Sequence, residues 1–136
     1  MEKENLITEE KIFELYGDYL LNYGERPKNI YRFAKENKFE EIDFYNHFSS
    51  FEQIEKLMLV NLFNKSVELA AEFNNSDEVI SKEKLLNVYF IFFENMTMNR
   101  SLVLMILGND QLHAAKILNQ LKETHRDFIK TLDFND

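Results

Sequence analysis

Residues 44–56 read FYNHFSSFEQIEK. Phe44, Tyr45, His47, Phe48 and Phe51 crowd together just ahead of a run with helical periodicity. Ser49 or Ser50 is suited to cap that helix, with Glu52 or Gln53 three residues on as the partner of a capping box. Its apolar positions are Phe51, Ile54, Leu57, Met58, Leu62, Phe63, Val67, Ala70 and Ala71, at helical spacing. NNSDE (74–78) ends it. What the aromatic cluster is for depends on how it is spaced from the residues upstream.

Upstream, Thr8 followed by Glu9 and Glu10 reads as a helix start, a hydroxyl cap with acids at the positive end of the dipole. Ile12, Phe13, Leu15, Tyr16, Tyr19 and Leu20 follow at helical spacing, and Gly24 is the stop. Pro27 sits where a second helix would begin, with Ile30, Phe33 and Ala34 as its apolar face. Asn37 and Lys38 can make a turn, and Phe39 to Phe48 holds a third short helix. Three short helices with a sharp turn before the third outline a helix-turn-helix over residues 1–50.

Downstream, Ser81 reads as the cap of a fifth helix. Its residues from Leu85 to Met96 leave almost no polar face, which predicts the buried centre of a bundle. Asn99 to Leu107 reads as a sixth helix closed by Gly108. Asp110 opens a seventh, whose Leu118, Leu121, His125, Phe128 and Leu132 alternate steps of three and four as a packing seam. The seam is expected to need a covering partner and to drive self-association.

Composition agrees with an all-α chain. Of 136 residues 45% are apolar, with only 3 Gly and 1 Pro to break helices. No cysteine is present, which excludes disulfides and thiolate metal sites. The acidic, polar opening MEKENLITEE does not read as a signal peptide. The most apolar stretch, Leu85 to Leu107, is interrupted by Glu94, Asn95, Asn99 and Arg100, so no membrane span or membrane partner is expected. The net charge is −8. Nucleic acid would therefore not be held by bulk attraction and would need a local cationic surface.

Gly24 stands ten residues before Ala34, and Ala34 eleven before Tyr45, which opens the run YNHFSSFEQI. This arrangement resembles the N-terminal domain of the TetR/AcrR family of bacterial transcriptional regulators. That family has a glycine after its first helix, an Ile-Ala pair in its second and a Y-x-H-F-x-S-K-E-x-L run into its fourth. Here Gly24, Phe33-Ala34, Tyr45, His47, Phe48, Ser50, Glu52 and Ile54 fall on those positions without a gap, and the match covers about residues 10–56. The resemblance implies that Phe44 and Phe48 wedge the third helix in place. It also implies that Lys28, Asn29, Lys38, Glu41, Asp43, Tyr45, Asn46 and His47 face DNA.

The chain departs from the family pattern in its turn and its reading helix. Lys38 stands where the family usually has glycine, and Glu40, Glu41, Ile42 and Asp43 replace small hydroxyl or glycine residues. Over residues 1–50 seven Lys and Arg oppose eleven Asp and Glu, about −4. A carboxylate can accept from cytosine, but three of them facing the groove repel phosphate.

The resemblance further implies a helical ligand-binding domain over 51–136 and a small apolar effector between its helices. Phe63, Tyr89, Phe90, Phe93, Met96, Met105 and His113, with Met98, would line that pocket, since Met and aromatic side chains suit adaptable apolar sites. A plain packed core is the alternative for the same residues. Family members usually continue with further helices that build a dimer interface. The expectation is thus a partial regulatory domain, homodimeric in the complete protein and cytoplasmic. Asp110-x-x-His113 could place two ligands on one helix face, but no Glu-x-x-His pair accompanies it, so no metal is expected. No nucleophile elbow or phosphate loop is present, so neither catalysis nor a cofactor is expected. Two other functions fit the same outline: a lipid or small-molecule carrier of this fold that does not bind DNA, and a helical interaction module.

Overall fold

The computed structural model describes residues 6–74, 79–108 and 110–135. These hold seven helices: α1 (Glu9–Tyr23), α2 (Ile30–Glu36), α3 (Glu41–Tyr45), α4 (Phe51–Asn74), α5 (Ser81–Met98), α6 (Arg100–Gly108) and α7 (Gln111–Ile129). No strand occurs among the described residues. The all-α class is thus what the sequence led one to expect. The chain divides into two units, Met1–Glu55 and Lys56–Asp136. The division falls inside α4, beyond the expected break at residue 50, because Phe51 and Glu55 bond into the first unit.

In the first unit, Thr8 caps α1 by accepting from the Lys11 amide at 3.1 Å. Gly24 ends it at φ +72° with its amide on the Leu20 carbonyl, a left-handed stop that glycine reaches without a side-chain penalty. α2 does not begin at Pro27. Asn29 caps it, accepting from the Arg32 amide at 2.8 Å, and a side-chain acceptor at this position fixes the start better than the proline upstream. α3 is shorter than expected. Phe39 remains in the turn, its amide on the Ala34 carbonyl at 3.0 Å. The turn itself is made by Lys38 at φ +65°, a left-handed conformation that costs an L-residue about 1–2 kcal/mol.

Phe33 is the hub of this unit and is fully buried. It meets Tyr16, Tyr19, Phe39, Phe44 and Phe51 edge-on, with centroids 5.8–6.3 Å apart, the geometry that aromatic quadrupoles favour. This explains the aromatic crowding at the start of α4. Phe44, Phe48 and Phe51 are all buried, and they join α3 and the first turn of α4 to the ring cluster. Ser50 caps α4, accepting from the Gln53 amide at 3.1 Å. Gln53 reaches back to the Ser49 amide, so the capping box forms with both serines used.

In the second unit, Phe63, Ala70, Val88 and Phe92 form the centre, with Leu62, Val67, Ile91, Met96, Leu121 and Phe128 packed around it. α6 packs on α7 and on α5. Asp110 caps α7, accepting from the Leu112 amide at 3.0 Å. Several expectations need correction here. Ser81 is not the cap of α5 but its first residue. Ile80 precedes it in extended backbone, and the buried Ser81 hydroxyl accepts from the Asp133 amide at 3.1 Å. Gly108 is the last helical residue of α6 and not a left-handed stop beyond it.

α5 is not buried all round. Val88 and Phe92 face the core, whereas Phe90 is 70% and Phe93 61% exposed. With Leu86 they form an outward stripe. The helix is covered on one side only, so apolar composition overstated its burial. No single helix among the described residues is long and apolar enough to cross a membrane; α5 and α6 would pass together, but they bend by 83°. The α7 seam is also largely covered within the unit. Leu121 and Phe128 pack on the central cluster, and His125 meets Phe63 with centroids 6.0 Å apart. Leu118 is half-exposed.

Candidate functional site

Two arrangements concentrate chemistry, one in each unit. The first is built around Glu55, a carboxylate with no solvent exposure. It lies one helical turn after Phe51 and one before Leu59, both buried, so the periodicity of α4 carries it into the core. Its Oε2 accepts from the Tyr16 hydroxyl at 2.5 Å and from Arg26 Nε at 2.9 Å. Its Oε1 accepts from Arg26 Nη2 at 2.9 Å. This is a two-pronged guanidinium–carboxylate pair with a phenol added, the charge-assisted geometry that can compensate a buried charge. Arg26 also reaches Glu52 at 3.3 Å. Burial, and then the hydrogen bond to Glu55, push the Tyr16 phenol far above its ordinary 10.0. The hydrogen bond to Glu55 is the main reason that the Arg26 guanidinium is raised above its ordinary value. The arrangement ties the first turn of α4 to α1 and to the α1–α2 connection.

The residues expected to face DNA belong to the same unit. Lys28, Lys38, Glu41, Tyr45, Asn46 and His47 are exposed. Several have structural duties. Asn29 caps α2. Half-buried Asp43 accepts from the Glu40 amide at 3.0 Å and closes the start of α3. Asn46 ends α3, its amide on the Ile42 carbonyl. His47 Nε2 bonds the Ile7 carbonyl at 3.0 Å, so this ring anchors the segment ahead of α1. Tyr45 sets its ring edge-on to Phe44 and leaves about half its surface free. Ion pairs among the described residues engage Lys11 with Glu14 and Arg32 with Glu36, besides Arg26. Lys35 lies over the Tyr31 ring, 5.6 Å from its centroid. A shallow groove of about 350 Å³ runs between α2 and α3, bordered by Tyr31, Lys35, Phe39, Glu40, Glu41 and Ile42.

The second arrangement is a groove of about 320 Å³ among α4, α5 and α7, lined by Phe63, Tyr89, Phe92, Phe93, Leu118, Leu121, Lys122 and His125. Its polar centre is Tyr89 and His125. The hydroxyl and Nε2 share a hydrogen bond at 2.5 Å, and the rings stack with centroids 5.6 Å apart. Of the residues expected to line a pocket, Phe63, Tyr89 and Phe93 do so. The other five lie outside this groove for identifiable reasons; Met98, at the end of α5, is exposed. Phe90, 70% exposed, lies on the outward stripe of α5, of which only Phe93 reaches the groove. Met96 packs against the central cluster. Met105 is half-buried on α6 and His113 is buried on α7. Apolar spacing does not mark Phe92 and Lys122 as lining residues, and it assigns Leu118, Leu121 and His125 to the seam only. The available signal was the spacing of 118, 121, 122 and 125 on one helix face.

Among the described residues no group of three or more His, Asp or Glu side chains is arranged to hold a metal ion. Comparison with protein-family models, with curated proteins and with solved structures finds no match to this chain.

Proposed function

We propose that the chain is a TetR-like regulator: a helix-turn-helix that contacts DNA, joined to a helical unit that takes a small apolar effector. The observation that carries this reading is the tight α2–Lys38–α3 turn. Lys38 takes the left-handed conformation at φ +65°, at the position where the family usually carries glycine. The short α3 then rests on Phe33 through the buried Phe44, while Glu41, Ile42 and Tyr45 remain outside. Lys35 and Lys38 stand exposed beside it, and Lys28 is exposed ahead of α2; cations of this kind bind phosphate and set register. Effector occupancy shifts DNA affinity through the free-energy coupling of the two sites.

The carboxylates of α3 favour a second reading, a small-molecule carrier of the same plan that does not bind DNA. Glu40 and Glu41 are exposed at the start of α3 and would face phosphate with few cations to offset them.

A titration of labelled duplex at low and moderate salt separates the two. The regulator reading expects weak binding with a slope near −0.9 per phosphate neutralised. Lys28→Ala then weakens all sequences alike. Glu41→Gln strengthens non-specific binding if the acid only repels, and erases a sequence preference if it accepts from cytosine. No retention at low salt, unchanged by Glu41→Gln, sinks the regulator reading and leaves the carrier.

A further inference from the structure

The groove of the second unit is more than an apolar slot. Its walls are Phe63, Phe92, Phe93, Leu118 and Leu121, which suit an aromatic or aliphatic body. Among the described residues that line it, Lys122 is the one charged group. The volume of about 320 Å³ is at the small end for ligand sites, so the body is of the order of two fused rings or a medium acyl chain. We infer that this groove takes a small hydrophobic anion, a carboxylate whose apolar body lies on Phe93 and Leu118 and whose charge meets Lys122. The inference rests on the effector reading above and names the chemical class of that effector.

The Tyr89–His125 pair fits the same class. When His125 carries its proton on Nε2, that N–H donates to the Tyr89 oxygen, and the hydroxyl keeps its own proton to donate elsewhere. A carboxylate supplies the acceptor. An ammonium ligand would meet a cation at Lys122 instead. The chain as a whole carries −8, so its long-range field favours cations and disfavours anions. A preference for the anion can therefore arise only from groups at the groove itself, which makes the sign of the preference diagnostic.

The experiment uses three probes with one body: 2-naphthylacetate, its neutral amide, and 2-naphthylethylammonium. Each is titrated into the full chain by calorimetry, at constant ionic strength. The expected order is acid, then amide, then ammonium. Because Lys122 is exposed, its contribution is that of a partly solvated pair, about two- to fivefold in affinity for the acid over the amide. Lys122→Gln, at a solvent-facing position, leaves the fold intact and removes that preference while the amide binds as before. Phe93→Ala weakens acid and amide together. Equal binding of acid and amide would overturn the anion inference and leave an apolar effector groove standing. A preference that survives Lys122→Gln would overturn it too. Binding of none of the three would overturn both the inference and the effector reading.

Discussion

Replacing Tyr16 by Phe removes one oxygen from the core and leaves the ring in place. The oxygen lost is the donor to Glu55 Oε2, at 2.5 Å in a site closed to solvent. A hydrogen bond to a charged acceptor contributes about 1.5–3 kcal/mol, and Glu55 retains its pair with Arg26. A cost of about 1.5–3 kcal/mol at neutral pH is therefore expected, or roughly 5–15 °C in Tm for a chain of this length. The same substitution changes the alkaline limb. Burial and then Glu55 raise the phenol above its ordinary 10.0 in the folded chain, so its contribution is complete below pH 10. Above that, the unfolded chain releases the proton while the folded chain holds it. Stability then falls by about 1.4 kcal/mol per pH unit. Tyr16→Phe should lose this slope, keeping only a remainder from Tyr19, which burial and then Glu36 also raise. Urea unfolding followed by circular dichroism at pH 7 and between pH 9.5 and 11 measures both effects. Parallel alkaline slopes in the two proteins, or a cost under about 0.5 kcal/mol at pH 7, would refute the buried phenol–carboxylate account.

Arg26→Met removes the guanidinium partner of the buried Glu55 carboxylate and should cost about 2–4 kcal/mol, toward the lower end for a buried pair because the guanidinium is partly exposed and the Tyr16 hydroxyl still donates to Glu55; the midpoint of urea unfolding reports it. Gly24→Ala meets no atom within 4 Å, yet its φ of +72° is unsuited to alanine, so a loss of about 1–2 kcal/mol is expected in thermal melts. Phe63→Ala, at the buried centre of the second unit, should cost about 3–5 kcal/mol. Phe93→Ala should change stability by less than about 1 kcal/mol, because its ring is mostly exposed. A comparable loss in these last two variants would mean that α5 is covered on both sides.

The aromatic packing of the first unit was legible in the sequence. Phe33, Phe44, Phe48 and Phe51 recur where three short helices must meet, and all four are buried. Caps with a hydroxyl or carboxylate beside a clear periodic run, at Thr8 and Asp110, could also be read directly. The α4 stripe lies slightly out of phase with its apolar spacing. That spacing puts Leu57 and Met58 on the inner face, but the fully covered positions include Ile54, Glu55, Leu59 and Ser66. Two of these are polar, and a scan for apolar periodicity passes over them. Glu55 finds its charge partner 29 residues away in a connection, a pairing that no local pattern encodes. Ser66 is served by the Leu62 carbonyl and by Asn95. The groove was half legible. Its aromatic residues were identified, but which side of α5 faces inward depends on α4 and α7, and composition is blind to that. The same limit explains why Phe90 and Phe93 were expected to share a pocket although only Phe93 lines the groove.

The left-handed turn at Lys38 sets stability and charge against each other at one position. Glycine there would relieve about 1–2 kcal/mol of backbone strain and lose part of that gain to the greater freedom of the unfolded chain. Asparagine tolerates the same conformation at little cost, and a β-branched side chain fits it worst. Each of these changes removes an exposed cation from a unit that already carries excess acid. A search for more stable variants that scores folding alone would therefore be drawn to glycine at this turn, and would make the surface around α3 still more anionic. A selection for affinity to a polyanion would move the other way, keeping the lysine and neutralising Glu41. The direction in which this single position drifts under each regime would report what the surface around it is required to touch.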